Sequence, residues 1–284
     1  MPNAENAERL IAWFDDHPKV AVAFSGGVDS SVVLAAALKA KHAAIDDAVI
    51  AITARSPSVA SWQLETARQV AQELGARHVE IETDEVTLPA YQANDSQRCY
   101  HCKSTLYEAL QCIVRANVGD ASATLVSGTN HDDRGDYRPG IVAGNEAQVA
   151  TPLADLKLGK EQVRELARLW KLSNAELPAS PCLASRIAYG VAVTVERLSM
   201  VEQAETLLQN YGLRDFRVRL HESQLARIEV PVDQIEMFCQ SAIQDQLVQE
   251  LTQIGFRYVT LDLAGFRSGN LNSALVAIEL PASS

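Results

Sequence analysis

The sequence predicts an α/β protein with a parallel sheet covered by helices on both faces, followed by a small α+β domain. Over the first two-thirds of the chain, β-rich apolar runs alternate with helical segments, which is typical of a parallel sheet. A glycine-rich loop joins the first strand to the helix that follows it. After about residue 190 the order changes to α-β-β-α-β-β, so we place the two domains at 1–189 and 190–284.

The sheet of the first domain is predicted from short apolar runs separated by segments with apolar residues at helical spacing. The predicted strands are Val20–Phe24, Ala48–Thr53, His78–Ile81 and Thr124–Ser127. The predicted helices are Ser30–Lys41, Trp62–Leu74 and Ser104–Asn117. In a sheet of this kind the connections are right-handed, and ligands bind at the carboxyl ends of the strands.

The second domain begins with a long helix, for which Thr194 is a suitable N-cap and Gly212 a suitable stop. Two further segments of period two and a second helix follow. The predicted helices are Thr194–Tyr211 and Asp233–Ile254. The predicted strands are Phe216–His221, Leu225–Val230, Tyr258–Leu263 and Ala274–Leu280.

Composition narrows the class of protein. The 284 residues are 47% apolar and carry a formal net charge of −11. The apolar content excludes wholesale disorder, and the negative charge disfavours non-specific binding to nucleic acid or to an anionic membrane. We find no membrane span, and the first residues lack the basic and apolar regions of a signal peptide, so we expect a cytoplasmic protein. Five cysteines are too few for a disulfide scaffold.

The strongest local signal is the loop Ser25-Gly26-Gly27-Val28-Asp29-Ser30-Ser31, between a strand and a helix. Its glycines let the backbone turn sharply and bring N–H groups to an anion, and the helix dipole adds positive potential. The loop therefore predicts a pyrophosphate-binding site in which Asp29 holds Mg²⁺. We add Thr53 and Gly128 to this nucleotide site, because each lies at the carboxyl end of a predicted strand.

The cysteines form one close pair and three single residues. Cys99 and Cys102 make a C-x2-C pair, and Cys182 lies in a proline-rich loop eighty residues later. Zinc would need two more ligands, whereas three thiolates leave an open position on one iron of a four-iron cluster; redox and structural roles are weaker alternatives. We expect Cys112 and Cys239 to be buried structural thiols, because both fall in apolar helical periodicity.

Other polar groups allow two interpretations each. Lys103 is a phosphate contact or a surface lysine, and Arg186 would lower the pKa of the Cys182 thiol if it lay close. Arg217 and Arg219 alternate with apolar residues, so both guanidinium groups share one face of a strand. They could bind a phosphate or carboxylate, or cover an exposed sheet face. In the polar loop of residues 128–140, acidic side chains could hold Mg²⁺ and an arginine could pair with phosphate.

Taken together, these motifs resemble one family. The phosphate loop resembles the PP-loop of the ATP pyrophosphatases, and both the Walker and the dinucleotide-binding patterns are absent. The combination of strings resembles LarE over nearly the whole chain. The strings are Ser25–Ser30, Arg98–Lys103, Gly128–Asp133, Gly135–Gly140, Ser180–Arg186 and Tyr258–Gly269.

The resemblance implies an ATP-dependent sulfurtransferase that acts on a pyridinium-3,5-biscarboxylic acid mononucleotide. In that family a carboxylate is adenylated and then converted to a thiocarboxylate, for the nickel-pincer cofactor of lactate racemase. By the same resemblance, Arg217 and Arg219 would hold the substrate's phosphate, with Arg186 near the reacting carboxylate. A sulfide donor, a nickel-inserting enzyme downstream and a homo-oligomer are the expected partners.

Members of the family differ in their sulfur source. Some carry a single cysteine, at the position of Cys182, and give up its sulfur. This chain has Cys99, Cys102 and Cys182, so we predict a [4Fe–4S] cluster that carries sulfide, in addition to ATP and Mg²⁺.

Three other functions remain as alternatives. A PP-loop tRNA thiolase would also use ATP and three cysteines, but the acidic chain has no basic run or aromatic-interleaved basic patch. An ammonia-using amide synthetase would explain the loop and leave the cysteines idle. A nucleotide-binding regulatory module would need neither Asp29 nor the cysteine set.

Overall fold

A computed structural model describes residues 2–40, 48–117, 123–135, 139–178 and 181–267. The chain divides into two compact units: Met1–Glu85 with Cys99–Ser180, and Val86–Arg98 with Pro181–Ser284. The second unit therefore begins earlier than the predicted boundary at residue 190. The second unit also includes the segment 86–98, which the sequence analysis places in the first domain.

The secondary structure follows the predicted alternation. The helices are α1 Pro2–Trp13, α2 Val28–Lys39, α3 Ser61–Glu73, α4 Pro89–Gln92, α5 Arg98–Asn117, α6 Pro139–Glu146, α7 Pro152–Asp155, α8 Lys160–Leu169, α9 Val195–Asn210, α10 Ile235–Phe238 and α11 Ser241–Ile254. The strands are β1 Val20–Ala23, β2 Val49–Arg55, β3 Arg77–Glu82, β4 Thr124–Ser127, β5 Arg217–His221, β6 Leu225–Glu229 and β7 Tyr258–Leu261. The predicted strand Ala274–Leu280 lies outside the described residues.

The first unit is built on a four-stranded parallel sheet of order β3-β2-β1-β4. One face is covered by a buried apolar cluster that includes Val22 of β1 and Val33 of α2, and the other by a cluster that includes Ile50 of β2 and Leu110 of α5. Because alternate residues of a strand point to opposite faces, both faces need helices. The predicted fold class is confirmed.

The order of the strands fixes where a ligand can bind. From β1 the chain passes to β2 and β3, and then returns to place β4 on the other side of β1. The strand order therefore reverses between β1 and β4. Loops at the carboxyl ends of such neighbouring strands diverge and leave a crevice, which in open α/β sheets is the usual ligand site.

Among its described residues, the second unit has a three-stranded sheet of order β5-β6-β7, with β5 and β6 antiparallel and β6 and β7 parallel. Helix α9 packs against β5 and begins at the predicted cap, where Thr194 Oγ1 accepts a hydrogen bond from the Arg197 N–H at 3.3 Å. Gly212, which follows α9, has φ +84°, a conformation that glycine adopts without strain. No helix among the described residues is long and apolar enough to cross a membrane.

The helix α5 begins six residues before its predicted start at Ser104. Asp95 explains the difference, because its Oδ1 accepts a hydrogen bond from the Gln97 N–H at 2.7 Å and its carbonyl accepts one from the Arg98 N–H. An aspartate that accepts from N–H groups in this way favours the start of a helix. The C-x2-C pair consequently lies in a helix, and not in a turn.

Candidate functional site

The loop between β1 and α2 is tightly turned. Gly26 has φ +71°, and a Cβ added there would lie 2.7 Å from the backbone N and Cα of Ala67 in α3. Both the left-handed backbone and the contact with α3 therefore require glycine. Gly27 precedes the first residue of α2, so the free N–H groups of that helix point into the loop. Ser25 and Gly27 are exposed and can contact a ligand.

Hydroxyl groups hold the loop in shape from within. The hydroxyls of Ser30 and Ser31 both donate to the Gly27 carbonyl, at 3.0 and 2.9 Å. The Oγ atoms of Ser25 and Ser30 lie 3.2 Å apart, and Ser25 must be the donor because the Ser30 proton is already used. Ser25 Oγ also accepts from the Gly27 N–H at 3.3 Å. The loop is therefore preorganised before any anion binds.

Asn174 is a residue of this site that sequence reasoning missed. Its buried amide Nδ2 donates to the Gly26 carbonyl at 2.7 Å and to Ser31 Oγ at 2.8 Å. It lies between α8 and the end of the first unit, in a segment with no recognised motif. Only the fold brings it against the loop, so the sequence carried no signal for it.

Gly128 follows β4 and lies against the start of α2. A Cβ at this position would be 2.6 Å from the Ser30 backbone N and 2.9 Å from Ser30 Cα. The structure thus places Gly128 against the loop, and its part in binding nucleotide stays a prediction.

Asp29, in the first turn of α2, lies in an acidic part of the site. Its Oδ2 accepts a hydrogen bond from the buried Asn130 amide at 3.3 Å, and Asp133 is near enough to repel it. Burial and the charge of Asp133 raise the pKa of Asp29, while the Asn130 hydrogen bond opposes this. A divalent cation would relieve the repulsion between the two carboxylates, so the donor set fits Mg²⁺.

Thr53, at the end of β2, is buried and its hydroxyl is fully engaged. It donates to the Phe24 carbonyl at 2.8 Å and lies 2.7 Å from His78 Nε2. Because the one hydroxyl proton goes to Phe24, the histidine must donate from Nε2. Burial lowers the pKa of His78, which keeps the ring neutral. Thr53 thus braces the strand end that leads into the loop.

Cys99 and Cys102 lie one turn apart on α5 and share a face of that helix. Cys99 is exposed and Cys102 is partly exposed. Lys103, also exposed, places its ammonium 5.8 Å from the centre of the Tyr107 ring. An accessible pair of thiols and an exposed cation therefore occupy the first turns of one helix in the first unit.

Cys182 belongs to the second unit, where it precedes a short 3-10 helix, Leu183–Arg186. Its thiol is partly exposed. Its carbonyl accepts from the N–H and the hydroxyl of Ser185, at 3.0 and 2.7 Å, and from Arg186 Nη1 at 3.2 Å. The backbone that carries the thiol is therefore fixed by three donors.

Arg186 is buried, and all three of its guanidinium nitrogens donate within the second unit. Nη1 contacts the carbonyls of Pro181 and Cys182, while Nε and Nη2 bind the two carboxylate oxygens of Glu205 on α9. The carboxylate of Glu205 is also buried. Sequence analysis did not give Glu205 a role, because its partner lies nineteen residues away along the chain.

Arg217 and Arg219 lie on β5, two residues apart, but their surroundings differ. Arg219 is buried, donates to Glu229 Oε2 at 2.9 Å from Nη2, and donates to the Ser185 carbonyl at 3.1 Å. The Arg217 guanidinium lies 5.0 Å from the centre of the Phe266 ring. Burial and the charge of Arg186 lower the pKa of Arg217, so a bound anion would be favourable there. Arg219 does not lie on an exposed sheet face.

Comparisons with known proteins agree with these features. Residues 14–98 match the asparagine synthase family model. A pyridinium-3,5-bisthiocarboxylic acid mononucleotide synthase of Lactiplantibacillus plantarum is 36% identical over 271 residues, covering 95% of this chain and 95% of its own. This chain belongs to the LarE family, within the PP-loop superfamily. The membership predicted from the motifs is confirmed.

Two further relatives cover most of the chain. An uncharacterised protein of Synechocystis sp. is 42% identical over 268 residues, covering 94% of this chain and 97% of its own. An uncharacterised protein of Methanocaldococcus jannaschii is 28% identical over 253 residues, covering 88% and 91%. Both matches thus extend through both units.

The remaining cysteines of this LarE-family chain correct one expectation. Cys112 and Cys239 are exposed, so the prediction that they are buried thiols was wrong. In α5 the apolar side that packs on the sheet contains Leu110 and Val114, and Cys112 falls between them on the outer side. Apolar neighbours in sequence did not indicate burial here.

The three cysteines Cys99, Cys102 and Cys182 are the donor set for the predicted [4Fe–4S] cluster. They form no disulfide; Cys99 is exposed and the other two are partly exposed. Within the described ranges, no three or more His, Cys, Asp or Glu side chains are grouped as a metal site. Thiolates are the ligands that iron–sulfur clusters take, so the donor set fits a cluster by its chemistry. The LarE-like string at 135–140 lies partly outside the described residues, at 136–138.

Proposed function

We propose that this chain is an ATP-dependent sulfurtransferase that adenylates a carboxylate of a pyridinium-3,5-biscarboxylic acid mononucleotide and converts it to a thiocarboxylate. The observation that carries this proposal is the preorganised loop after β1, with Asp29 at its edge. The named Lactiplantibacillus plantarum relative, which matches along 95% of both chains, is a synthase of the bisthiocarboxylic acid mononucleotide, and the biscarboxylic acid substrate follows from the family resemblance.

The loop suits the departure of pyrophosphate. The N–H groups at the start of α2 would donate to an anion, and the hydrogen bonds of Ser30, Ser31 and Asn174 keep the loop in place. Donors fixed in advance stabilise charge as it develops on the phosphates, without the cost of reorganisation. Asp29 would hold Mg²⁺, which would offset negative charge on the phosphates, and Lys103 would contact phosphate.

The reaction occurs in two balanced steps. A carboxylate oxygen of the substrate attacks the α-phosphorus of ATP, and the bond to the β-phosphate breaks to release pyrophosphate. Sulfide then attacks the acyl carbon, and AMP leaves with the oxygen that joined it to the substrate. Adenylation is needed because a bare carboxylate is a poor acceptor, whereas AMP is a good leaving group.

Three cysteines would supply the sulfur site. We assign Cys99, Cys102 and Cys182 as ligands of a [4Fe–4S] cluster, which when bound leaves one iron open to carry sulfide. The protein's own contribution near Cys182 is positional. Arg186 and Ser185 hold the backbone on both sides of the thiol, so that its direction does not depend on the substrate.

The substrate's phosphate would be held on β5. Arg217 is the better donor, since burial and neighbouring Arg186 make its charge costly until an anion arrives. Arg219 is bound to Glu229 and to the Ser185 carbonyl, so its part is to join β5 to the loop that carries Cys182. Arg186 also holds the loop that carries Cys182, and it would lie near the reacting carboxylate.

The cellular context is also part of the proposal. A separate sulfide donor would reload the site, a nickel-inserting enzyme that serves lactate racemase would take the product, and the protein would act in the cytoplasm as a homo-oligomer.

The test is a reaction of the anaerobically prepared protein with ATP, Mg²⁺, sulfide and the pyridinium biscarboxylic acid mononucleotide. We expect pyrophosphate and AMP in equal amounts, and by mass spectrometry a product in which sulfur replaces one carboxylate oxygen. Asp29→Asn should abolish release of pyrophosphate, whereas Asp84→Asn, at an exposed carboxylate of the same unit, should not. Pyrophosphate release that does not depend on the mononucleotide would refute the proposed substrate.

A further inference from the structure

The segment 86–98 belongs to the second unit, although the chain on both sides of it belongs to the first. It contains α4 and ends at Arg98, and Cys99 is the next residue of the chain. The segment thus leads directly into the C-x2-C pair. Only its last residue, Arg98, belongs to one of the family-like motifs.

Asn94 anchors this segment within the second unit. It is fully buried and has φ +54°, a left-handed conformation that asparagine tolerates better than most residues. Its amide Nδ2 donates to the carbonyls of Ala188 and Val191, both at 2.8 Å, and to that of Ile187 at 3.3 Å. One side chain therefore satisfies several carbonyls of the stretch that follows Cys182.

Arg98 continues the same contact toward Cys182. Its buried guanidinium donates through Nη1 to Asn94 Oδ1 at 2.6 Å and to the Ala184 carbonyl at 2.8 Å. The carbon at its centre lies 5.7 Å from the middle of the Tyr189 ring. Ala184 belongs to the 3-10 helix that begins directly after Cys182. A single arginine thus contacts the Cys182 loop and is joined by a peptide bond to Cys99.

Backbone hydrogen bonds support the same arrangement. The Gly190 N–H donates to the Asn94 carbonyl at 3.2 Å, and the Val193 N–H donates to the Gln92 carbonyl at 3.0 Å. The segment is therefore attached along its length, and not by one side chain alone. Charge-assisted hydrogen bonds from a buried guanidinium are the strongest of these contacts.

We propose that Arg98, supported by Asn94, is a positioning residue for the sulfur site: it fixes the chain entering Cys99 against the loop that carries Cys182. This inference rests on the proposed function in one respect, because it takes the three thiols as parts of one site. It adds a residue that contacts neither ATP nor the substrate and acts through the cysteines.

The test measures the affinity of the iron-free protein for arsenite, which binds three thiols at once. Arsenite forms three As–S bonds with three thiols and releases three waters, with no change of oxidation state. Iron-free full-length protein in which Cys112 and Cys239 are replaced by Ser is titrated with arsenite, and a thiol reagent counts the free cysteines. We expect one arsenite per chain to consume the thiols of Cys99, Cys102 and Cys182.

Arg98→Ala should weaken arsenite binding about tenfold, which corresponds to the loss of one charge-assisted hydrogen bond. The Arg98→Ala variant should bind ATP as tightly as the parent does, because ATP is bound at the loop of the first unit. Arg98→Lys keeps the charge but lacks the planar fork, so its effect should be intermediate, and it serves if the alanine variant does not fold. Arg197→Ala is the matched control, since that partly exposed arginine of the same unit also donates to a backbone carbonyl, at 2.7 Å.

The outcomes separate the two proposals. If the parent binds arsenite through three thiols and Arg98→Ala and Arg98→Lys bind it equally well, the positioning role is refuted and the proposed function stands. If the parent loses only two thiols to arsenite, a single three-thiol site does not exist, and both the inference and the cluster assignment fail. If arsenite and ATP binding fall together in both variants, Arg98 is merely structural.

Discussion

Arg186 and Glu205 form a buried ion pair with two parallel contacts: Nε lies 3.0 Å from Oε1, and Nη2 lies 3.2 Å from Oε2. The same guanidinium contacts the carbonyl of Cys182, so the carboxylate on α9 orients the loop that carries the thiol. A planar fork of this kind has directional specificity that a lysine would not provide. The pair therefore links helix packing to the geometry of a proposed reactive residue.

Replacement of Glu205 by Gln should strongly destabilise the second unit. The neutral amide cannot balance the Arg186 charge, and removing one partner of a buried ion pair costs about 3–5 kcal/mol. Urea unfolding of the full chain, followed by circular dichroism, measures the loss. Glu202→Gln, one turn earlier on the same helix and only partly buried, should change stability much less. Equal losses in the two variants would refute the importance of the pair.

Gly128→Ala should impair ATP binding while the fold is retained. The added methyl would lie 2.6 Å from the Ser30 backbone N, so the start of α2 must move away from β4. A displaced helix start no longer aims its N–H groups at the phosphates. Isothermal titration with ATP and Mg²⁺ should show at least about a tenfold higher Kd, as expected when more than one charge-assisted hydrogen bond is lost.

The control for this variant is Gly144→Ala on α6. A methyl there would meet Tyr107 at 3.5 Å, an ordinary van der Waals distance, so we expect unchanged ATP affinity. If Gly128→Ala also binds ATP normally, the close approach of β4 and α2 is not needed for the nucleotide site.

Asn174→Asp should disrupt the phosphate loop more than Asn174→Leu. The aspartate has the same shape but places an acceptor against the Gly26 carbonyl, which now accepts from the amide at 2.7 Å. Leucine only leaves that carbonyl without its partner, at a cost of about 1–3 kcal/mol. The Kd for ATP should therefore be lowest in the parent, higher in the leucine variant and highest in the aspartate variant. A higher Kd in the leucine variant than in the aspartate variant would contradict this role.

The phosphate loop, the sheet and the use of Gly128 could be predicted from the sequence because they depend on local turns and strand order. The contacts of Asn174 and Glu205 could not. Asn174 contacts Gly26, 148 residues away, and Glu205 contacts Arg186, 19 residues away. No local sequence pattern predicts such a pair.

The segment 86–98 shows the same limit at the level of a unit. The sequence between β3 and α5 contains no composition change that would assign it to the second unit, since its anchors are single side chains such as Asn94. The prediction that Cys112 is buried was also wrong. Apolar periodicity indicates that α5 has a buried side, but it does not decide for each residue near the edge whether it lies on that side.

The stability of the first unit should depend on pH through His78. Burial lowers the pKa of this ring below its ordinary value of 6.5, so the folded chain holds it neutral while the unfolded chain takes up a proton. The stabilisation is therefore complete above pH 6.5 and is lost as the pH falls toward the folded-state pKa. In His78→Gln, which retains a donor for Thr53, the midpoint of thermal unfolding should fall less steeply below pH 6.5.

His17→Gln is the control for this pH dependence. The His17 ring stacks on Trp13 at 4.0 Å between ring centres, outside the contact with Thr53, and its removal leaves His78 in place. This variant should therefore keep the acid sensitivity that the buried His78 causes. An unchanged slope in His78→Gln would show that other groups set the acid sensitivity.

The cysteines should separate into two classes by iron content. In protein prepared without oxygen we expect about four irons and about four labile sulfides per chain, as for one four-iron cluster with three thiolate ligands. Cys99→Ser, Cys102→Ser and Cys182→Ser should each lose most of both, because each removes one ligand. Cys112→Ser is the matched control, an exposed thiol on the same helix as the C-x2-C pair, and should keep them.

Adenylation gives this experiment a second readout. The phosphate loop contains no cysteine, so the three ligand variants should still release pyrophosphate from ATP in the presence of the mononucleotide, while forming no thiocarboxylate. Loss of iron together with loss of pyrophosphate release would indicate a general folding defect. If the parent contains no iron and only Cys182→Ser stops sulfur transfer, the cluster assignment is wrong, and the sulfur is carried or donated by Cys182 alone.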